Sequence, residues 1–318
     1  MIIPKKFKKI FITGGAGFIG SHIADILVES EKDVIVFDNL SAGKKEFLIN
    51  CIGKSNFKLI QGDISHPTEI KKALDPDTDI VFHLAANPDI AKGFIDPSLD
   101  LNQTIIATFN LLQEMKNKNI KNLVYFSGSG VYGNVGNTFT DENFGPLKPV
   151  SMYGASKLAA EGLISAFSHL YNINSWIFRP ANVVGDRATH GVILDFINKL
   201  KKNPNQLEIL GDGQQSKSYI YVTDVITAVF FALRETHERV NILNIGTDTF
   251  TTVNEIGSMV INAMKLKNVK IVHTSGKGGW PGDIPVVRIN TQKLRTIGWK
   301  EKYSSQKAIQ RTIKNLLK

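Results

Sequence analysis

Tyr153 and Lys157 are the residues of this 318-residue chain whose types and spacing point most directly to chemistry. They lie four apart in Ser151-Met152-Tyr153-Gly154-Ala155-Ser156-Lys157, a stretch that opens a helix, so they share one helical face. A tyrosine phenol ionises near pH ~10 when unperturbed. A positive charge at about 6 Å is worth roughly 2 to 3 kcal/mol at an effective dielectric near 20, or about two pKa units. A lysine so placed pulls the phenol toward the range in which it takes a proton from an alcohol. A tyrosine four residues before a lysine is also ordinary surface packing, so the pair gains its meaning from what the rest of the chain builds around it.

The element that would position a reactant against this pair begins at Lys9. Ile10 to Ile12 are apolar and β-branched or aromatic and predict a buried strand, after which Gly14, Gly15, Gly17 and Gly20 turn the chain into a helix starting near Ser21. Gly15, Gly17 and Gly20 fit G-x-G-x-x-G: the missing side chains permit a tight turn, close approach of a pyrophosphate to the backbone, and close helix-to-strand packing. The pyrophosphate would sit on the free N–H groups and the positive dipole end of the helix. The second half of such a unit follows. His22 to Glu29 has helical apolar spacing, Asp33 to Phe37 is a second apolar strand, and Asp38 ends it 18 residues after Gly20. A carboxylate there accepts hydrogen bonds from both ribose hydroxyls of NAD and repels the extra phosphate of NADP. The predicted cofactor is therefore NAD, whose positive nicotinamide ring would add to the charge of Lys157 beside Tyr153.

At this length two lobes are the natural expectation. The 38 basic and 29 acidic residues leave +9, spread along the chain with a local cluster at Lys5 to Lys9. Such charge predicts solvated surface and at most a weak preference for anionic ligands, and no aromatic-interleaved basic patch suggests a nucleic-acid partner. Cys51 is the single cysteine, which excludes an internal disulfide, leaves a metal cluster without support and suits a reducing cytosol. It reads as a small buried apolar residue. No stretch approaches the roughly 18 apolar residues of a membrane span and the amino end lacks the apolar run of a signal peptide, so the expected location is cytoplasmic.

Strand and helix go on alternating: Phe57 to Gln61, Ile80 to Leu84, Asn122 to Phe126 and Ile173 to Phe178 predict strands, with helices at Glu69 to Leu74, Pro97 to Lys118 and Lys157 to Tyr171. This predicts an α/β fold with a doubly wound parallel sheet, whose ligands lie at the carboxyl ends of the strands. The residues there are Asp63, the Ala85-Ala86-Asn87 turn, Ser127 to Ser129 and Arg179 to Asn182. Segment 186–218 departs from the sheet pattern, with a helix near Val192 to Leu200, then Leu207 to Leu210 and the turn Gly211-Asp212-Gly213. Tyr219 to Val225 leads back toward the sheet, and Val240 to Ile245 is a further strand.

The set Thr13-Gly14-Gly15-Ala16-Gly17-Phe18-Ile19-Gly20, Asp38-Asn39-Leu40, Gly62-Asp63, His83-Leu84-Ala85-Ala86, Val131-Tyr132-Gly133 and Tyr153-x-x-x-Lys157 resembles the extended short-chain dehydrogenase/reductase family, in particular its nucleotide-sugar epimerases and dehydratases. The resemblance runs nearly to the end of the chain. It implies a Rossmann domain at 1–178 completed by 219–246, and a smaller, mostly C-terminal substrate lobe at 179–218 and 247–318. It implies cofactor contacts from Gly14, Gly17, Phe18, Ile19, Asp38, Asn39, Asp63, Ile64, Leu84, Ala85, Ala86, Tyr153 and Lys157, with Asp63 and Ile64 flanking the adenine. Thr104 stands where the family often has an asparagine.

On the substrate side, the resemblance implies diphosphate contacts from Asn182 and from the arginines of two motifs. Here these positions are Lys217, in Gly211-Asp212-Gly213-x-Gln215-x-Lys217, and Trp280, in Trp280-Pro281-Gly282-Asp283. A lysine pairs with a diphosphate as a point charge but lacks the bidentate fork. Arg187 and Lys277 are candidates to compensate. The family's Ser or Thr, whose hydroxyl meets the sugar oxygen being oxidised, is Gly128 here, so Ser129 is the expected substitute, with Ser127 the alternative on the other side. Val287 falls where the family lines the pocket near the sugar's C2 substituent, and its small size predicts room for an acetamido group.

The expected activity is a 4-epimerase of a UDP-linked hexose or N-acetylhexosamine, working by transient oxidation at C4. The family's dehydratases place Asp-Glu before Val-Tyr-Gly, where this chain has Ser129 and Gly130, which argues against water elimination. Another epimerase or dehydratase of the family, or an NAD-binding protein that has lost catalysis, are the alternatives. The resemblance also implies a homodimer built on the stripe Leu101, Ile105 and Leu112 together with Ala155, Leu158, Ala159 and Leu163.

Overall fold

The computed structural model describes residues 3–274, 276 and 279–318. Its centre is a seven-stranded parallel sheet of β1 (Lys9–Thr13), β2 (Asp33–Asp38), β3 (Phe57–Gln61), β4 (Ile80–His83), β5 (Asn122–Phe126), β6 (Asn174–Pro180) and the strand Val240–Ile245. In space the order is β3-β2-β1-β4-β5-β6 followed by Val240–Ile245, every pair parallel. The order reverses between β1 and β4, which opens a crevice at the carboxyl ends of those two strands.

Alternation along each strand loads both faces of the sheet. Ile10, Ile12, Val34, Val36, Phe82, Val124 and Phe178 enter one core, under α1 (Phe18–Glu29) and the helix Val222–Glu235. Phe11, Phe37, Val81, Leu123, Tyr125 and Ile177 enter the other, under the helices Ala107–Asn117 and Met152–Tyr171. Cys51 is buried, and burial followed by its hydrogen bond to Asp25 pushes the thiol up to about 12, which makes it inert.

Three small sheets stand beyond the carboxyl ends of the main strands. Asn182–Val184 pairs with Tyr219–Tyr221, Ser216–Lys217 lies between Thr251–Thr252 and Val286–Val287, and Gln206–Ile209 pairs with Lys270–His273. The helices Val192–Lys202, Val253–Ala263 and Ser305–Leu316 pack with them.

The helix expected over Pro97 to Lys118 is interrupted. A first turn, Pro97–Asp100, gives way to a π-helical turn at Leu101–Ile106 before Ala107–Asn117 resumes as α-helix. The wider turn rotates the face that follows. Leu101 and Ile106, at the two ends of the turn, and Phe109 beyond it are exposed, while Leu112, expected on the dimer stripe, is wholly buried in the chain's own core. Ala155, Leu158, Ala159 and Leu163 keep part of their surface open. Among the described residues no helix is long and apolar enough to cross a membrane.

Candidate active site

The glycine turn after β1 lies directly against the turn after β4. Gly14 has a left-handed backbone with φ 68°, and a Cβ on it would stand 2.6 Å from the Ala85 nitrogen, so only glycine fits. Gly20, on the first turn of α1, has no room either: its Cβ would meet the Gly14 carbonyl oxygen at 2.4 Å. The sharp turn therefore falls on Gly14, one residue before the Gly15 of the sequence motif. Gly17 precedes α1 in an extended conformation with no side-chain cap, which leaves the first amides of the helix for a ligand.

Asp38 closes the rim of this cradle from the end of β2. Its carboxylate is buried and accepts from the Ala16 amide at 2.9 Å and the Leu40 amide at 2.8 Å. Burial raises its pKa against the pull of those two amides. Each carboxylate oxygen retains a lone pair for a further donor. Asp63 takes Ser65 on one oxygen and Asn39 on the other, and these hydrogen bonds outweigh burial and lower its pKa. Both acids line one continuous cleft with Gly14, Gly17, Phe18, Ile19, Asn39, Ile64, Leu84, Ala85 and Ala86. A cradle that excludes side chains, free amides at a helix start and a carboxylate at the strand end together fit the two ribose-phosphate halves of NAD.

The same cleft continues over Tyr153 and Lys157. Ser151 caps their helix, its hydroxyl accepting from the Gly154 amide at 3.1 Å. Lys157 is buried and donates from Nζ to the Phe126 carbonyl at 2.8 Å, which anchors it between the end of β5 and the tyrosine. Its ammonium lies 5.6 Å from the centre of the Tyr153 ring.

The protein's own groups do not lower the phenol. Burial, with the charge of Asp100 added, pushes Tyr153 up to about 12, and burial pulls Lys157 down to about 8 against the opposing pull of Asp100 and Glu161. The helical spacing accounts for the Lys157 charge and leaves out desolvation and a buried carboxylate, both of which favour the neutral phenol. A bound NAD would add the positive charge of its nicotinamide ring, which favours the phenolate.

Asp100 was not evident from the sequence. It is fully buried, accepts from the Asn87 amide nitrogen at 3.2 Å through Oδ1, and has no partner for Oδ2. Burial raises its pKa, opposed by Asn87 and Lys157. Thr104, one turn along, is buried with its hydroxyl oxygen unpaired. His83 bridges the Thr13 and Thr108 hydroxyls at 2.7 and 2.9 Å, and burial and then Lys157 hold it down at about 3, so it is a neutral structural residue.

Of the two serines beside Gly128, one is engaged in a buried network. Ser127 donates its hydroxyl to Glu161, and Glu161 holds Arg179 through two bonds of 3.0 and 2.6 Å. Arg179 in turn donates to the Tyr132 hydroxyl, which donates to Asn244. Both serines line the cleft; Ser127 is buried with its proton committed to Glu161, whereas Ser129 is more open. The backbone at Gly128 is extended, and a Cβ there would come within 3.7 Å of the Tyr153 hydroxyl.

Asn182, Lys217, Trp280, Asp283 and Val287 line the outer part of the cleft, joined by Thr189 and His190, which the sequence reading did not single out. Lys217 is paired with Asp283 at 2.6 Å. Arg187 pairs with Asp25 instead and is not part of the lining. Lys277 lies outside the described residues.

Comparison with known proteins gives the family. Residues 10–246 match the NAD dependent epimerase/dehydratase family. The chain belongs to that family. A crystal structure of a UDP-galactose 4-epimerase is 34% identical, covers 97% of this chain and 98% of its own, and superposes with a TM-score of 0.87. The UDP-N-acetylglucosamine 4-epimerase of Methanobrevibacter ruminantium, solved with UDP-N-acetylmuramic acid, is 29% identical with a TM-score of 0.86, over 98% of this chain and 99% of that one. The dTDP-D-glucose 4,6-dehydratase of Dictyostelium discoideum is 32% identical over 80% of this chain and 62% of its own length. This member of the epimerase/dehydratase family uses NAD, and both activities occur among its relatives.

Proposed function

We propose that this protein is an NAD-dependent nucleotide-sugar 4-epimerase acting on a UDP-linked hexose or N-acetylhexosamine. The observation that carries this reading is the acid–base content of the cleft. Among the described lining residues the carboxylates are Asp38, Asp63 and Asp283, and each is already engaged: Asp38 with two backbone amides, Asp63 with Ser65 and Asn39, Asp283 with Lys217. The turn before Val131 presents Ser129 and Gly130, without an acid. Elimination of water from a sugar needs a second acid–base pair, whereas inversion at C4 needs one group that takes a proton and gives it back. Tyr153 is that group.

NAD, when bound, supplies a hydride acceptor that returns what it takes, together with a positive ring beside Tyr153. Tyr153 withdraws the proton from the sugar's 4-hydroxyl and later returns it to the same oxygen on the inverted carbon. Lys157 supplies the charge that favours the phenolate. Ser129 holds the 4-oxygen, Asn182 and Lys217 face the diphosphate, and Val287 leaves room at C2. The test is a screen of UDP-linked hexoses, N-acetylhexosamines and hexuronic acids, with product stereochemistry read by NMR. Inversion at C4 of at least one of them is expected, and a 4-keto-6-deoxy product in its place would make the protein a dehydratase.

A further inference from the structure

The outer half of the cleft is built around one ion pair. Lys217 lies on the short strand Ser216–Lys217, next to Val286–Val287, and Asp283 reaches it from the loop before that strand. The Lys217 Nζ stands 2.6 Å from Asp283 Oδ1, and the two side chains are 11% and 4% exposed. The other oxygen of Asp283 accepts from the Gly279 amide at 3.0 Å. Above the pair, the Trp280 ring centre is 5.5 Å from Nζ, and the residue remains 43% exposed at the rim.

Among the described residues that line the cleft the lysines are Lys157 and Lys217, and there is no arginine. Lys157 is bound to the Phe126 carbonyl at the catalytic end. Among the described lining residues Lys217 is thus the cation of the outer half, and Asp283 already pairs with it. A guanidinium could face a carboxylate with one edge and a phosphate with another, whereas an ammonium offers its donors from a single point. A diphosphate and Asp283 then compete for the same cation.

We propose that Asp283 sets the affinity of the cleft for the substrate's diphosphate by competing with it for the Lys217 ammonium. The proposal rests on the nucleotide-sugar reading above. Asp283 acts as a built-in rival to the ligand and keeps the hold on the diphosphate loose, while Trp280 offers an uncharged face where a second cation would tighten it.

Asp283→Asn tests this, because asparagine keeps an oxygen acceptor for the Gly279 amide while it removes the charge and turns a donor NH2 toward Lys217, which frees the ammonium. UDP, dTDP and GDP are titrated into the NAD-loaded wild type and variant at low and moderate salt. The variant is expected to bind each diphosphate about fivefold or more tightly, with a steeper loss of affinity as salt rises. The base preference of the wild type tests the UDP assignment, while the ratio of variant to wild type tests Asp283 whichever base is preferred. Equal or weaker binding by the variant, or no binding of any diphosphate to either protein, overturns the proposal. Should Asp283→Asn not fold, Lys217→Arg replaces it: a fork that serves both anions tightens binding if the two compete, and unchanged or weaker binding overturns the idea.

Discussion

Gly128 faces the hydroxyl of Tyr153: a Cβ placed on the glycine would lie 3.7 Å from the phenol oxygen, at ordinary contact distance, on a backbone that any residue can adopt. The space for a hydroxyl beside the base is therefore present but unfilled by this position. Ser129→Ala should slow turnover by roughly tenfold or more, the scale of losing one hydrogen bond to a developing oxyanion. Gly128→Ser should be tolerated and should restore much of that loss in the double variant. Steady-state rates of the three proteins check this, and an unaltered rate for Ser129→Ala would mean that the site works without a protein hydroxyl.

Tyr153→Phe should lower kcat by about 100-fold or more while NAD stays bound, since only the proton acceptor is removed. The pH profile carries a further signature. Activity requires the phenolate and the charged Lys157 together, so kcat/KM should rise and fall with the two ionisations of this pair, which lie at about 12 for Tyr153 and about 8 for Lys157 before the positive nicotinamide ring lowers them. Asp100 raises the pKa of both groups. Taking away its negative charge in Asp100→Asn favours the deprotonated form of each, so both limbs of kcat/KM against pH should move to lower pH. A profile that falls in height without moving would limit Asp100 to a structural role.

Asp38 occupies the end of β2 with a carboxylate that lines the cleft. NADP, with a phosphate directed at it, should bind at least tenfold more weakly than NAD, as two negative charges a few ångströms apart in a partly desolvated site repel strongly. Asp38→Asn should narrow the gap. Equilibrium titration of both cofactors reads the result.

Val287 is buried in a small apolar cluster with Val131, Tyr132, Ala181 and Ile289, and it also lines the cleft. If it borders the C2 substituent, UDP-N-acetylhexosamines should be accepted alongside the plain hexoses. Val287→Tyr should then lower kcat/KM for the acetamido sugars selectively. An equal loss for both classes would remove Val287 from the specificity of the site.

Leu101, Ile106 and Phe109 are exposed apolar residues, as are Phe94 and Ile95 earlier in the chain. A second copy of the chain is the expected cover, through these residues and the partly open Ala155, Leu158, Ala159 and Leu163 of the neighbouring helix. Light scattering at micromolar concentration should give a dimer, and Phe109→Glu should shift it toward monomer by placing a charge in the contact.

Much of this protein is determined by short stretches of its sequence. Strands such as Ile10–Ile12 and Asp33–Phe37 are legible because an apolar, β-branched run bounded by turn residues has few other solutions, and their order predicts the parallel sheet. The nucleotide cradle is equally local, since Gly14 and Gly20 are demanded by backbone contacts that any other residue would violate. Tyr153 and Lys157 come together by helical spacing alone. Tertiary structure decided the rest, because the deciding partners lie far away in sequence. The Ser127 proton is engaged by Glu161, 34 residues on, and Lys217 is paired with Asp283, 66 residues on. The π-helical turn at Leu101–Ile106 changes a helical face that regular spacing would have placed otherwise. The upward push on Tyr153 likewise comes from desolvation and from Asp100, and both depend on how densely separate segments pack around the phenol, a property that no local pattern of residues carries.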